Sequence, residues 1–112
     1  MLDIELDVVK GIIFLRLNGE LNNLNFNVLS NKINELLYRQ GLQYYVLDFQ
    51  DAEISELSTL TKIQNKLIEI FLSCGKVVLC GINDINKKQI GYTKDKLFYV
   101  KDEREAFEYL WM

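Results

Sequence analysis

The sequence predicts an α/β domain: a mixed, mostly parallel five-stranded sheet with about four helices, in the order ββαβαβαβα. Three observations carry this. Two alternating apolar segments meet at Lys10-Gly11 near the start. Two longer segments with apolar residues at three- and four-residue spacing lie between short apolar runs. The six glycines fall where the period of the pattern changes. Strands separated by helices imply parallel crossovers, so only the first pair is expected to be antiparallel. With 112 residues the chain makes one domain spanning 1–112, long enough to bury roughly two-thirds of its unfolded surface.

Residues 4–9 read as the first strand, with Ile4, Leu6 and Val8 alternating against Glu5 and Asp7. After the Lys10-Gly11 turn, residues 12–18 form the second strand. Ile13, Leu15 and Leu17 share one face and Ile12, Phe14 and Arg16 the other, so both faces are expected to be partly covered. Beyond Gly19 the period becomes helical, with Phe26, Leu29, Ile33, Leu36 and Leu37 on one face and Gly41 closing the helix after Arg39. Residues 43–49 are rich in aromatic and β-branched side chains and predict a strand. A second helix is expected over 56–73, with Ser55 as N-cap and Leu60, Ile63, Leu67, Ile70 and Phe71 along its stripe. Residues 76–80 are almost wholly apolar, as in a strand covered on both sides. A short helix over 83–90 and a strand over 97–100 follow. Asp102 and Glu105 then have capping-box spacing for a last helix carrying Ala106, Phe107, Leu110 and Trp111 towards the core.

Composition narrows the chemistry. Apolar residues are 49% and charged residues 26%, an ordinary globular balance that excludes disorder. With no His, imidazole catalysis and His-ligated metal sites are excluded; any base for a nucleophilic Ser would have to be Lys or a carboxylate. Cys74 and Cys80 form no CxxC and cannot close a zinc site, so they read as buried reduced thiols rather than a redox pair. Neither GxGxxG nor GxxxxGK[ST] occurs, and no cofactor or metal is expected. Glu53 and Glu56 have the spacing of an acid/base pair, but acids at a helix start more often serve its dipole. The chain is not expected to be an enzyme. A net charge of −3 and an isoelectric point near 4.9 argue against nucleic-acid binding. Lys87, Lys88, Lys94, Lys96 and Lys101 crowd the last third around Tyr92, but nearby acids make a solvated surface the simpler reading. Asn22, Asn23, Asn25 and Asn27 could be a polar binding loop or simply helix-start residues. The acidic N-terminus does not resemble a signal peptide, and no apolar run approaches the ~18 residues of a membrane span, so a cytoplasmic location away from membranes is expected.

Several strings in this order resemble the STAS domains, and within them the bacterial anti-sigma factor antagonists of sporulation type. IIFLRLNGELNN at 12–23 resembles the family's second strand and following loop. YVLDFQDAEISELSTL at 45–60 resembles its third strand, loop and second-helix start. CGKVVLCGIN at 74–83 and EREAFEYL at 103–110 resemble a later strand and the terminal helix. The resemblance implies a STAS-like fold and a bacterial transcription regulator that binds an anti-sigma factor, often a serine kinase. In that family phosphorylation of a serine in Asp-Ser-Ser/Thr-Gly at the second-helix start turns binding off, since a phosphoryl group adds close to two charges to the docking surface.

In ungapped register this sequence places Glu56 at the family's Asp, Leu57 at the phosphorylated Ser, Ser58 at the next hydroxyl and Thr59 at the Gly. Leu57 cannot accept a phosphate and is expected to be an apolar contact in the core or in a partner surface. Ser58, with Thr59 behind it, is the candidate for a displaced acceptor. Asn22 stands where the family has an acid after GEL. The expected partner surface is Glu20, Asn22, Asn23, Ser55, Glu56, Leu57, Ser58 and Thr59, two loops at the ends of adjoining strands. The alternatives are a constitutive STAS-fold scaffold and a small-ligand-binding module unrelated to sigma factors.

Overall fold

The computed structural model describes residues 2–39, 41, 44–73, 75–83 and 98–111. A hairpin of β1 (Asp3–Val9) and β2 (Ile12–Glu20) opens the sheet, and β3 (Tyr44–Glu53), β4 (Lys76–Cys80) and β5 (Phe98–Val100) add to it in sequence order. Among the described strands the β1/β2 pair is antiparallel, and β2/β3, β3/β4 and β4/β5 are parallel, pairings that need a crossover connection rather than a tight turn. The hairpin turns on Lys10 and Gly11, both at positive φ (51° and 80°), the backbone of a two-residue turn matched to strand twist.

Three helices are described: α1 (Phe26–Asn34), α2 (Leu57–Leu72) and α3 (Glu103–Trp111). A π-helical turn at Glu35–Arg39 extends α1 and keeps Leu36 and Leu37 buried beyond its regular end. Residues 84–90 of the expected helix over 83–90 lie outside the described residues, as do Cys74, Tyr92, Lys87, Lys88, Lys94 and Lys96.

One face of the sheet buries Ile13, Leu15, Leu17, Tyr45, Leu47 and Leu79 against the apolar stripes of α1 and α2. The other buries Ile12, Phe14, Val46, Val78, Cys80 and Val100 against Ala106 of α3. The two-faced reading of β2 therefore holds. Val77, Val78, Leu79 and Cys80 of β4 are all buried, which explains their unbroken apolar run. The Cys80 thiol is pushed up, chiefly by burial and then by the charge of Asp48, as suits an inert core thiol.

Four expectations need correction. β2 runs to Glu20 rather than 18 and β3 to Glu53 rather than 49, although their added residues are poor strand formers. Pairing supplies what propensity lacks: Asn18, Gly19 and Glu20 lie opposite Asp51, Ala52 and Glu53. The register shifts between Arg16 and Asn18, with one extra residue in β3, and that bulge destroys the alternation a sequence reading would follow. The N-cap of α2 is Glu56 rather than Ser55, with extended backbone and no side-chain cap bond. Leu57 is exposed, so of its two expected places the core is excluded and the partner surface stays open. Trp111 is also exposed; it stacks on Phe107 at 6.0 Å, Phe107 stacks on Phe14 at 6.5 Å, and the Lys10 ammonium lies 5.1 Å from the Trp111 ring centroid. Asp102 does cap α3, its Oδ1 accepting from the Glu105 N–H at 3.0 Å.

α3 is fastened to the sheet by charge as well. Arg16 donates to both Glu103 oxygens (2.7 and 2.8 Å) and to Glu5 at 2.9 Å. The bond to Arg16 holds the Glu103 carboxyl below its ordinary range. Asp48, alongside Arg16 on β3, is pushed up to about 6 by burial, then by its hydrogen bond to Glu103 and that group's charge.

Candidate functional site

Because β2 and β3 are parallel neighbours, the segments leaving their carboxyl ends emerge side by side, where ligands and partners of open α/β sheets commonly sit. The Leu21 N–H still donates to the Glu53 carbonyl at 2.8 Å, so the two loops start in register. Residues 22–25 lead into α1, and 54–56 lead into α2.

The first loop is folded by its own amides. Asn22 Oδ1 accepts from the N–H groups of Leu24 (2.9 Å) and Asn25 (3.0 Å), and Asn25 Oδ1 accepts from the Asn22 N–H at 2.9 Å. Asn25 Nδ2 donates to the Glu20 carbonyl at 2.7 Å. These are helix-start and turn contacts, so the local reading of the Asn cluster holds for Asn22 and Asn25.

Asn23 works differently. Its Nδ2 donates to Ser58 Oγ at 2.6 Å and to Glu56 Oε2 at 3.4 Å, its backbone N–H donates to Glu56 Oε1 at 3.3 Å, and its Oδ1 accepts from the Thr59 hydroxyl at 3.0 Å. One side chain thus ties the first loop to the opening turn of α2. The structure brings Asn23, Glu56, Ser58 and Thr59 together, with Asn22, Ser55 and Leu57 adjoining them in the chain and Glu20 tied to the first loop through its carbonyl. Thr59 is fully buried, so it holds the clasp and offers no surface, and its hydroxyl is closed to a kinase. Ser58 is exposed at the second residue of α2.

Two leucines stand out from this polar clasp. Leu24 is 94% exposed and Leu57 62% exposed, each next in sequence to a clasp residue. Glu20 and Glu53 lie opposite each other in the β2/β3 register, and with Glu56 they give the surroundings an acidic character. Leu24 was not among the expected site residues. A lone leucine in an Asn-rich stretch carries no periodic signal, and only its exposure in an ordered loop marks it.

Away from the loops, a surface hollow of about 590 Å³ lies between α1 and α2, lined by residues including Phe26, Asn34, Lys62, Lys66, Glu69 and Leu72. Its buried cation, Lys66, already donates to Asn34 Oδ1 and to Glu69 at 2.6 Å. Among the described residues, no group of three or more Cys, Asp or Glu side chains is placed to hold a metal ion. No described helix is long and apolar enough to cross a membrane.

Against solved structures, the chain superposes on the anti-sigma factor antagonist SpoIIAA in its unphosphorylated form with a TM-score of 0.78, covering 98% of this chain and 97% of that one at 16% identity. The chain has the STAS fold. A candidate anti-sigma factor antagonist from Thermotoga maritima shares this STAS fold with a TM-score of 0.80 and 23% identity, over 97% of this chain and 95% of that one. Phosphorylated SpoIIAA from Bacillus matches with a TM-score of 0.74 at 17% identity, covering 98% and 99%. In sequence, the chain is 24% identical to the anti-sigma F factor antagonist of Paenibacillus polymyxa over 82 residues, 73% of this chain and 70% of the relative. No family model matches the chain. The STAS architecture expected from the sequence is thereby established.

Proposed function

We propose that the protein is a non-enzymatic, cytoplasmic regulator that binds an anti-sigma factor, of the serine-kinase type, through the two clasped loops. The observation that carries this reading is the pair of outward leucines, Leu24 and Leu57, beside the Asn23 clasp. Exposed leucines on a braced surface lose little conformational freedom on binding, which is what an interface anchor needs. The acidic neighbours Glu20, Glu53 and Glu56 suit a partner with an apolar pocket and a basic rim.

Leu57 occupies the position where the antagonists carry their phosphorylated serine, so the usual switch is absent. Two regulatory schemes remain: control by abundance of either partner, or modification of the exposed Ser58. A phosphoryl group on Ser58 would stand beside the Glu56 carboxylate, loosening the clasp by like-charge repulsion.

The test starts by isolating the protein with its partner from its native cells and measuring its intact mass. An anti-sigma kinase is expected in the complex, and Leu57→Asp and Ser58→Asp should each weaken that complex at least about tenfold, the 1.4 kcal/mol of one modest interface residue. If neither variant changes affinity, the docking surface lies elsewhere. Recovery of no such partner, with no added phosphate, would leave the constitutive scaffold as the better reading.

A further inference from the structure

We propose that the outer edge of β1 is a second docking site, which receives an extended partner segment in which lysine or arginine alternates with apolar residues. The site is independent of the clasped loops. Among the described residues β1 is the first strand of the sheet and pairs only with β2, so one whole side of its backbone is left unpaired by the described strands. It is seven residues long, whereas the opposite edge strand β5 has three described residues. Edge strands are ordinarily kept short or covered, and a seven-residue edge offers roughly three N–H donors and as many C=O acceptors to an added strand.

The side chains state what such a strand must carry. Asp3, Glu5 and Asp7 project on one face of β1, while Ile4, Leu6 and Val8 project on the other, with Leu6 and Val8 exposed. The Glu5 and Asp7 side chains are 72% and 50% exposed. Their cationic neighbour Arg16 lies 2.9 Å from Glu5 and 3.6 Å from Asp7, but it is already engaged by both oxygens of Glu103. The row therefore keeps an excess of negative charge facing solvent. An incoming strand with basic residues in phase with the acids would also lay its apolar residues over Ile4, Leu6 and Val8, because both strands share the two-residue period.

A second copy of β1 does not fit. In an antiparallel self-pairing that keeps like faces together, alignment centred on Leu6 sets Glu5 against Asp7, alignment centred on Glu5 sets Glu5 against itself, and alignment centred on Asp7 sets Asp7 against itself. Every such like-face register overlapping five or more residues places acid opposite acid, which is destabilising. The same charges that exclude self-association select a basic strand.

The experiment uses the full chain and a labelled seven-residue peptide, Lys-Val-Lys-Val-Lys-Val-Lys. Two control peptides are used: one with Glu in place of each Lys, the other with the same composition but blocked order. Fluorescence anisotropy measures affinity, and amide NMR locates the contact. The alternating basic peptide should bind, shift and protect alternate β1 amides, and lose affinity with added salt. The E5Q/D7N double variant should weaken it about five- to tenfold, from two cross-strand pairs. Absence of binding, equal binding of either control, or shifts confined to Leu24 and Leu57 would overturn the proposal. So would a concentration-dependent dimer abolished by substitutions in β1.

Discussion

Asn23→Ala probes the clasp most directly. Among the described residues the substitution removes the acceptor of the Thr59 hydroxyl, and Thr59 is fully buried. An orphaned buried hydroxyl costs about 1–3 kcal/mol, and the exposed bonds to Ser58 and Glu56 add only a few tenths each. The expected loss is about 2 kcal/mol. At about 2.1 cal/mol/K per residue, the unfolding entropy of the chain is about 0.24 kcal/mol/K, so the midpoint should fall by about 8 °C. Thermal and urea unfolding of Asn23→Ala, Thr59→Val and the double variant give a cycle. Removing Thr59 Oγ1 as well should recover part of the loss, with a coupling of about 1 kcal/mol. Additivity within about 0.3 kcal/mol, or a single-variant loss below about 0.5, would show that Asn23 does not hold the two loops together.

Three further outcomes follow from the scaffold. Asp48 has its carboxyl raised to about 6 from 3.8, so the folded state binds the extra proton. Its favourable contribution is complete below about pH 4 and is lost as pH rises through 6; Asp48→Asn, which keeps an acceptor for the Gln50 N–H, should be more stable than the parent by about 2 kcal/mol at neutral pH and equal to it near pH 3.5, as read by urea unfolding across pH. Gly81→Ala would set a Cβ 2.6 Å from the Gln50 backbone nitrogen at φ +72°, with no side chain able to yield; a loss above about 2 kcal/mol is expected in the same assay, whereas Gly11→Ala meets no atom within 4 Å and should cost only its positive φ, about 1 kcal/mol. Lys66→Met removes a buried cation whose partners Asn34 and Glu69 both reach solvent, so thermal unfolding should change by less than about 1 kcal/mol in either direction.

The order of strands and helices was legible in the sequence because burial on a sheet or helix face repeats with a fixed local period. Ile13, Leu15 and Leu17 against Ile12 and Phe14 announced a two-faced strand, and the stripe from Leu60 to Ile70 announced α2. The Asp102 cap was legible for the same reason, since its partner is three residues away. The parallel crossover also followed from element order, and with it the nearness of the two loops. What the chain does between distant residues was not legible. Asn23 meets Thr59 across 36 positions and Arg16 meets Glu103 across 87, distances that no period encodes. Sequence neighbours with similar polarity therefore took different parts: Asn22 folds its own turn while Asn23 reaches another loop, and Thr59 turns inward while Ser58 faces water. One residue advances a helix by about 100°, so which side chain looks outward depends on where α2 starts, and packing of the whole stripe against the sheet sets that start.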